Sequence, residues 1–62
     1  MRIKLGDVFR DYVNVKYVVK KYKNYIITFE VDNGNMKDEV YKKSDFIEEI
    51  NGNRFHKQEK II

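Results

Sequence analysis

Few side chains in this 62-residue sequence could carry out chemistry. His56 is the only histidine and Ser44 the only serine, so a serine nucleophile and its general base would need both residues in one site. The acid pairs Asp38-Glu39 and Glu48-Glu49 are sequence neighbours. Neighbouring side chains point to opposite faces of a strand and diverge on a helix, so neither pair forms a ready two-carboxylate site. We therefore predict that the protein is not an enzyme.

Metal and cofactor sites have no better support. The chain contains no cysteine, which removes thiolate ligands and disulfides. The segment from Asp32 to Glu39 fails the calcium-loop spacing, because Gly34 stands at the third position, where an oxygen ligand is needed. We predict no metal, cofactor or small-molecule substrate. The missing cysteines, the lack of an apolar signal core and the lack of any run of roughly 18 apolar residues predict a cytoplasmic protein with no membrane partner.

A segment rich in lysine and tyrosine is the first candidate binding surface. Residues 10–25 hold five cations and one carboxylate, whereas residues 30–50 hold seven carboxylates and three lysines. Cations that follow phosphates, beside rings that stack on bases, are the minimum requirement for nucleic-acid contact. The predicted nucleic-acid-binding residues are Arg10, Tyr12, Lys16, Lys20, Lys21, Tyr22, Lys23 and Tyr25. Alternatively, these lysines only solvate the outer face of a strand while the tyrosines flank the core.

Two β-strands must position this segment. Residues 25–32 alternate between apolar and polar side chains, and residues 15–20 do so as well. A three-residue loop, Tyr22-Lys23-Asn24, would bring Val19 opposite Ile27 on the apolar face, a match that a two-residue loop breaks. The residues predicted to point inward are Val15, Tyr17, Val19, Tyr25, Ile27, Phe29 and Val31.

A third strand follows the pair Asn33-Gly34. This pair favours a two-residue type I′ turn, which places Met36, Asp38 and Val40 on the inner face of the next strand. The charged Asp38 is out of place there, so we expect a bulge or a strand end at that position.

The same register predicts an apolar patch on the outer face of the three strands. Its members, the predicted protein-binding residues, are Val18, Ile26, Thr28 and Tyr41. Apolar side chains on a solvated face indicate either a protein partner or a cover, supplied by curling of the sheet, by the N-terminal strand or by the tail with Ile61 and Ile62. The edge strands of so small a sheet also allow a homodimer.

Shorter elements complete the predicted fold. Residues 3–9 form an opening strand, bent at Gly6, and residues 54–57 form a closing strand. Between the meander and the closing strand, Ser44 can cap a short helix that stops at Asn51-Gly52. The prediction is a mainly β fold of five short strands with one short helix before the last.

Three segments resemble pieces that recur in small SH3-like or Tudor-like proteins of phages and mobile elements. They are Leu5-Gly6-Asp7-Val8-Phe9, Lys16-Tyr17-Val18-Val19 and Lys43-Ser44-Asp45-Phe46. The resemblance covers roughly residues 5–57 and implies a single domain, residues 1–62, folded as a five-stranded antiparallel SH3-like barrel. The chain has no tryptophan, so the resemblance does not imply recognition of proline-rich peptides.

The resemblance implies a small binding module encoded by a phage or mobile element. With the lysine- and tyrosine-rich segment, it predicts contact with nucleic acid or with a protein complex that handles nucleic acid. The alternative is a protein-binding inhibitor or accessory factor that acts on a host enzyme or defence nuclease, in the manner of an anti-CRISPR protein.

Overall fold

A computed structural model describes residues 2–59 of the protein. It contains the strands β1 (Val8–Asp11), β2 (Lys16–Lys23), β3 (Ile26–Asp32), β4 (Met36–Lys42) and β5 (Phe55–Gln58), with the helix α1 (Lys43–Asn51) between β4 and β5. The strands form one antiparallel sheet in the order β4-β3-β2-β1-β5. This confirms the mainly β class, the five strands and the helix before the last of them. Within residues 2–59 no pairing joins β4 to β5, so the sheet is not closed into a barrel.

Aromatic side chains on one face of the sheet build the core. Phe9 of β1, Phe29 of β3 and Phe46 of α1 are fully buried. Their ring centroids lie 4.7 to 6.2 Å apart, in edge-on and tilted arrangements that aromatic pairs favour. We call the face that carries these rings the inner face, and the opposite side of the sheet the outer face. Because α1 inserts Phe46 among the rings, the helix covers the inner face and leaves the outer face open.

The β2–β3 hairpin has the predicted apolar inner face, but its loop and its register differ from the prediction. Its loop has two residues, Asn24 and Tyr25, with φ of 53° and 62°, and Lys23 pairs with Ile26. Asn24 takes the left-handed conformation, but the predicted three-residue loop was wrong. The register then shifts at Lys20, where β2 carries one extra residue, and Val19 faces Phe29. This bulge restores the match of apolar residues that a two-residue loop alone would break.

The predicted register of β4 was wrong by one residue. Asp32 pairs with Met36 across a three-residue loop, residues 33–35, instead of a two-residue turn. Since a one-residue slip moves every side chain to the other face, the even-numbered residues of β4 point outward and the odd-numbered ones inward. Asp38 therefore lies in solvent and forms an ion pair of 3.0 Å with Lys20, which removes the conflict that the predicted register created.

The slip also corrects the position of Tyr41, which was predicted on the outer face. Its ring lies on the inner face, 5.8 Å from Phe29 and 5.6 Å from Phe46 between centroids. Met36 and Val40, predicted inside, are exposed instead. The observed register adds the Tyr41 ring to the aromatic core, and it turns Glu39 instead of Asp38 to the inner side, opposite Phe29.

Helix α1 begins and ends differently from the prediction. Its N-cap residue is Lys42, and no side chain caps it. Ser44 lies inside the first turn because β4 runs directly into the helix. At the other end Gly52 has an ordinary φ of −84°, and Asn53, with φ of 62°, takes the left-handed conformation. Asp45 lies in the first turn, where a carboxylate is stabilised by the helix dipole.

The chain before β1 is a turn and not a strand, so the predicted opening strand is shorter and starts at Val8. Gly6 adopts φ of 85°, a conformation that glycine tolerates without steric cost. The buried carboxylate of Asp7 accepts a hydrogen bond of 2.8 Å from the Lys4 N–H and forms an ion pair of 3.4 Å with Lys57. The closing strand β5 starts at Phe55, one residue later than predicted. The predicted cover by Ile61 and Ile62 lies outside the described residues.

Candidate nucleic-acid interface

The outer face of the sheet gathers most of the cations that the sequence singled out. The register of the strands places Lys16, Lys20, Lys21 and Lys23 of β2 there with Arg10 of β1, and adds Lys42 of β4. The carboxylates on the same face are Glu30, Asp32 and Asp38. The outer face therefore carries an excess of positive charge, although the acidic residues are unevenly spread over it.

The cations are concentrated at the end of the sheet where β2 turns into β3. Two grooves adjoin each other around Ile26. The larger, of about 580 Å³, reaches across to the start of α1, and the smaller, of about 220 Å³, runs along β2 and β3. Together they are lined by Lys21, Lys23, Asn24, Tyr25, Ile26, Thr28, Lys42, Lys43, Ser44 and Ile47, which we call the turn-end patch. It contains four lysines and no carboxylate, so it is a basic surface with a largely apolar lining.

Tyr25 holds a strained position in the turn-end patch. Its φ of 62° lies in the left-handed region, which L-residues occupy at a cost of about 1 to 2 kcal/mol. Two-residue hairpin turns of this kind favour glycine at the second position. The ring gains little in return, because 75% of the residue is exposed. Backbone strain concentrates at functional sites, so an exposed ring kept at such a position is a candidate for contact with a ligand.

Replacing Tyr25 with glycine is expected to stabilise the protein. Relief of the left-handed strain outweighs the added freedom of glycine in the unfolded chain, for a net gain of about 0.5 to 1 kcal/mol. Tyr12→Gly is the matched control, because Tyr12 is 80% exposed in a loop but has no positive φ, and it should destabilise the protein. Urea denaturation of both variants measures the difference. A loss of stability for Tyr25→Gly comparable to that of Tyr12→Gly would show that the turn is not strained.

Three other predicted cations lie outside the turn-end patch and have polar partners. Arg10 donates hydrogen bonds to the Gln58 side chain at 2.7 Å and to the Asn14 carbonyl at 3.2 Å. Lys16 pairs across the strands with Asp32. The ion pair with Asp38 raises the pKa of Lys20 above its usual value. The positive charges of these side chains are more nearly balanced by their neighbours than those of the lysines in the turn-end patch.

The predicted rings do not all accompany the lysines. Tyr12 lies in the β1–β2 loop, at the opposite end of β2 from Tyr25. The eight residues of β2 make this separation roughly 26 Å. Tyr22 points inward, packs against the core, and lies beneath the ammonium group of Lys43, 5.6 Å from its ring centroid. Of the predicted nucleic-acid-binding residues, the structure thus brings together Lys21, Lys23 and Tyr25.

An apolar strip crosses the outer face and shares Ile26 and Thr28 with the turn-end patch. Val18, Ile26 and Thr28 of the predicted protein-binding set lie there, but Tyr41 does not. Val40 takes the place of Tyr41: it stands opposite Thr28 and is 63% exposed. The strip therefore differs from the predicted patch by one residue, which is the consequence of the slipped register of β4.

Carboxylates lie near two tyrosine phenols on the inner side of the sheet. Burial, followed by the charge of Glu39, raises the pKa of the Tyr17 phenol to about 12. Burial likewise raises the pKa of Tyr41, followed by the charges of Glu39, Glu49 and Asp11. These three carboxylates make this part of the inner side acidic.

Sequence reasoning missed five residues of the turn-end patch: Asn24, Lys42, Lys43, Ser44 and Ile47. A signal for the two lysines was present, because the lysine pair directly precedes the predicted helix. Their proximity to Tyr25 depends on the ladder between β3 and β4, in which the Lys43 N–H donates a 2.8 Å hydrogen bond to the Tyr25 carbonyl. That contact could not be inferred with β4 placed one residue out of register.

Comparisons with known proteins leave the site to be interpreted from its own chemistry. No protein-family model matches the chain, and no curated protein or solved structure matches it either. Within residues 2–59 no group of three or more His, Asp or Glu side chains is placed to hold a metal ion. The one helix in this part of the chain is too short and too polar to cross a membrane.

Proposed function

We propose that this protein is a small, non-enzymatic module that binds single-stranded nucleic acid through the turn-end patch. One observation carries the proposal: four lysines, an exposed tyrosine ring and two apolar grooves free of carboxylates occur together. The tyrosine also has a strained backbone conformation. Lysines neutralise phosphates without regard to sequence. An exposed ring adds base stacking, worth about 1 to 3 kcal/mol for each base. Single strands fit this arrangement better than duplexes, because their bases are free to stack.

We also propose that the fold is a variant of the SH3-like small barrel. The support is the element order: a strand, a three-stranded meander, a helix and a last short strand. Contact between the rings of Tyr41 on β4 and Phe55 on β5, 6.1 Å between centroids, brings the two edges of the sheet near each other on the inner side. Origin in a phage or mobile element and a cytoplasmic location belong to the same proposal.

A second candidate function is binding of a protein through the apolar strip of the outer face. The exposure of Val40 at 63% and of Ile26 at 37% favours it. An inhibitor of a nucleic-acid-handling enzyme could use the strip and the neighbouring lysines together, because interfaces combine an apolar centre with a polar rim. Nucleic acid is the leading proposal because the lysines of the turn-end patch have no facing carboxylates, whereas the apolar strip is short.

The experiment that tests the leading proposal is an NMR titration of isotope-labelled protein with a short single-stranded oligonucleotide. The amide signals of Lys21, Lys23, Tyr25 and Thr28 should shift with increasing oligonucleotide. Those of Asp11, Glu39 and Glu49 on the acidic side should not, and they act as an internal control. An oligonucleotide of the same sequence in duplex form should produce smaller shifts at Tyr25, because its bases are not free to stack.

Two outcomes would remove the leading proposal. Absence of any shift at millimolar oligonucleotide would show that the patch does not bind nucleic acid, and the protein-binding alternative would then take precedence. Shifts confined to residues around Arg10 and Tyr12 would place nucleic acid at the other end of β2. The assignment to the turn-end patch would then be wrong.

A further inference from the structure

We propose that the free edge of β4 pairs with β4 of a second copy of the chain, about a two-fold axis at Val40. In the part of the chain that the structure describes, β4 has β3 on one side and no strand on the other. An unpaired edge offers a row of backbone donors and acceptors to another strand. This inference does not rest on the proposed function, although Lys42 belongs to both surfaces.

The hydrogen bonds of the β3–β4 ladder show which backbone groups are available. The Lys43 N–H donates to the Tyr25 carbonyl across the ladder, so the odd-numbered residues of β4 direct their N–H and C=O groups toward β3. Successive residues of an antiparallel strand alternate in this respect. The backbone groups of Asp38, Val40 and Lys42 therefore point away from β3, toward the free edge.

The sequence of β4 selects one register for self-pairing. With the two-fold axis at Val40, the two copies of Val40 face each other, and each Asp38 faces Lys42 of the second copy. Both of these pairs lie on the outer face. On the inner face Glu39 then stands opposite Tyr41. Opposite charges in facing positions stabilise a strand pair, whereas like charges destabilise it.

Charge disfavours the registers centred on Lys37, Asp38 and Glu39, because an axis at any of these residues would set it against its own copy, with like charges in direct opposition. Inward-pointing charges such as Lys37 and Glu39 are also a known protection of edge strands against indiscriminate pairing. The register centred on Val40 sets Asp38 against Lys42, and it places Lys37 opposite Lys43 of the second copy, just beyond the end of β4. It also places the exposed Val40 side chains in contact with each other.

Pairing about this axis would extend the outer face across both copies. A two-fold axis perpendicular to the sheet keeps both outer faces on the same side. The apolar strips would then meet at Val40. One ten-stranded sheet would carry a turn-end patch from each copy on one surface.

Sedimentation equilibrium without nucleic acid tests the inference, using the full chain up to millimolar concentration. The wild type should approach twice the 7.6 kDa chain mass. Asp38→Lys and Lys42→Asp, each alone, should raise the dissociation constant at least about tenfold, because each variant opposes like charges across the axis. The double variant Asp38→Lys with Lys42→Asp should restore dimerisation, because it exchanges the two charges.

Circular dichroism of each variant shows that a loss of mass does not arise from unfolding. A wild type that remains monomeric throughout would overturn the inference. Failure of the folded double variant to recover would overturn the register, and so would single variants that dimerise as well as the wild type. Because oligonucleotide is absent, none of these results bears on the proposed function.

Discussion

Replacing Phe29 with alanine is expected to lower the free energy of unfolding by about 3 to 5 kcal/mol. Phe29 is fully buried at the centre of the inner face, and its ring centroid lies 4.7 to 6.2 Å from those of four other aromatic rings. A domain of this size is stable by only about 3 to 9 kcal/mol. The loss is therefore about a third or more of the total stability, and at the lower end of this range the variant is unfolded at room temperature.

The matched control for Phe29 is Val40→Ala. Sequence alternation predicted Val40 inside, yet the structure leaves it 63% exposed on the outer face. At a concentration where the protein is monomeric, this substitution should change stability by less than about 0.5 kcal/mol. Urea denaturation followed by circular dichroism measures both variants. A loss for Val40→Ala as large as that for Phe29→Ala would mean that the register of β4 is the one predicted from the sequence.

The second large effect is expected from reversing two charges in the turn-end patch. Lys21→Glu combined with Lys23→Glu should weaken binding of a single-stranded oligonucleotide at least about tenfold, because it removes two phosphate contacts and adds repulsion. Both lysines are exposed, so the fold should tolerate the change. Fluorescence polarisation of a labelled oligonucleotide at fixed salt concentration measures the affinity.

The control for this variant carries the same change of net charge elsewhere. Lys4 lies in the turn before β1 and Lys37 on the inner side of β4, and both are exposed. Lys4→Glu with Lys37→Glu should reduce affinity far less, through the general field of the protein alone. Equal losses in the two double variants would indicate that net charge, and not the turn-end patch, governs binding.

The strand content of the fold was predictable because its strongest signals are local. Strict alternation in β3 predicted that Ile27, Phe29 and Val31 point inward, and all three are buried. The short helix before the last strand was likewise predictable, and its Phe46 is buried. These features depend on periodicity within one segment, which the sequence records directly.

The registers were not predictable to the same degree, because competing solutions differ by one residue. The sequence of β4 has charged residues on both faces in either register, so its pattern does not choose between them. The choice of register depends on tertiary contacts, because the observed one packs the Tyr41 ring into the core. The bulge at Lys20 is a similar case, since it appears only when the whole β2–β3 ladder is considered.

The candidate site was predicted only in part, because some of its residues come together only in the observed strand register. Lys21, Lys23 and Tyr25 were identified from charge and ring content, and Ile26 from its outward position. The contribution of Lys42 and Lys43 depends on how β4 aligns with β3 and passes into α1. Tyr22 was included because it is adjacent to lysines in the sequence, but the bulge at Lys20 shifts the alternation of β2 and turns its ring to the inner side.

The salt dependence of oligonucleotide affinity tests most directly whether the lysines of the turn-end patch bind phosphates. For single strands, the logarithm of the association constant falls against the logarithm of salt concentration with a slope of about −0.7 for each phosphate contact. We expect a clear negative slope for the wild type, and a slope shallower by about 0.7 for each lysine removed in Lys21→Glu with Lys23→Glu. An affinity independent of salt, or the same slope for wild type and variant, would contradict the proposed function.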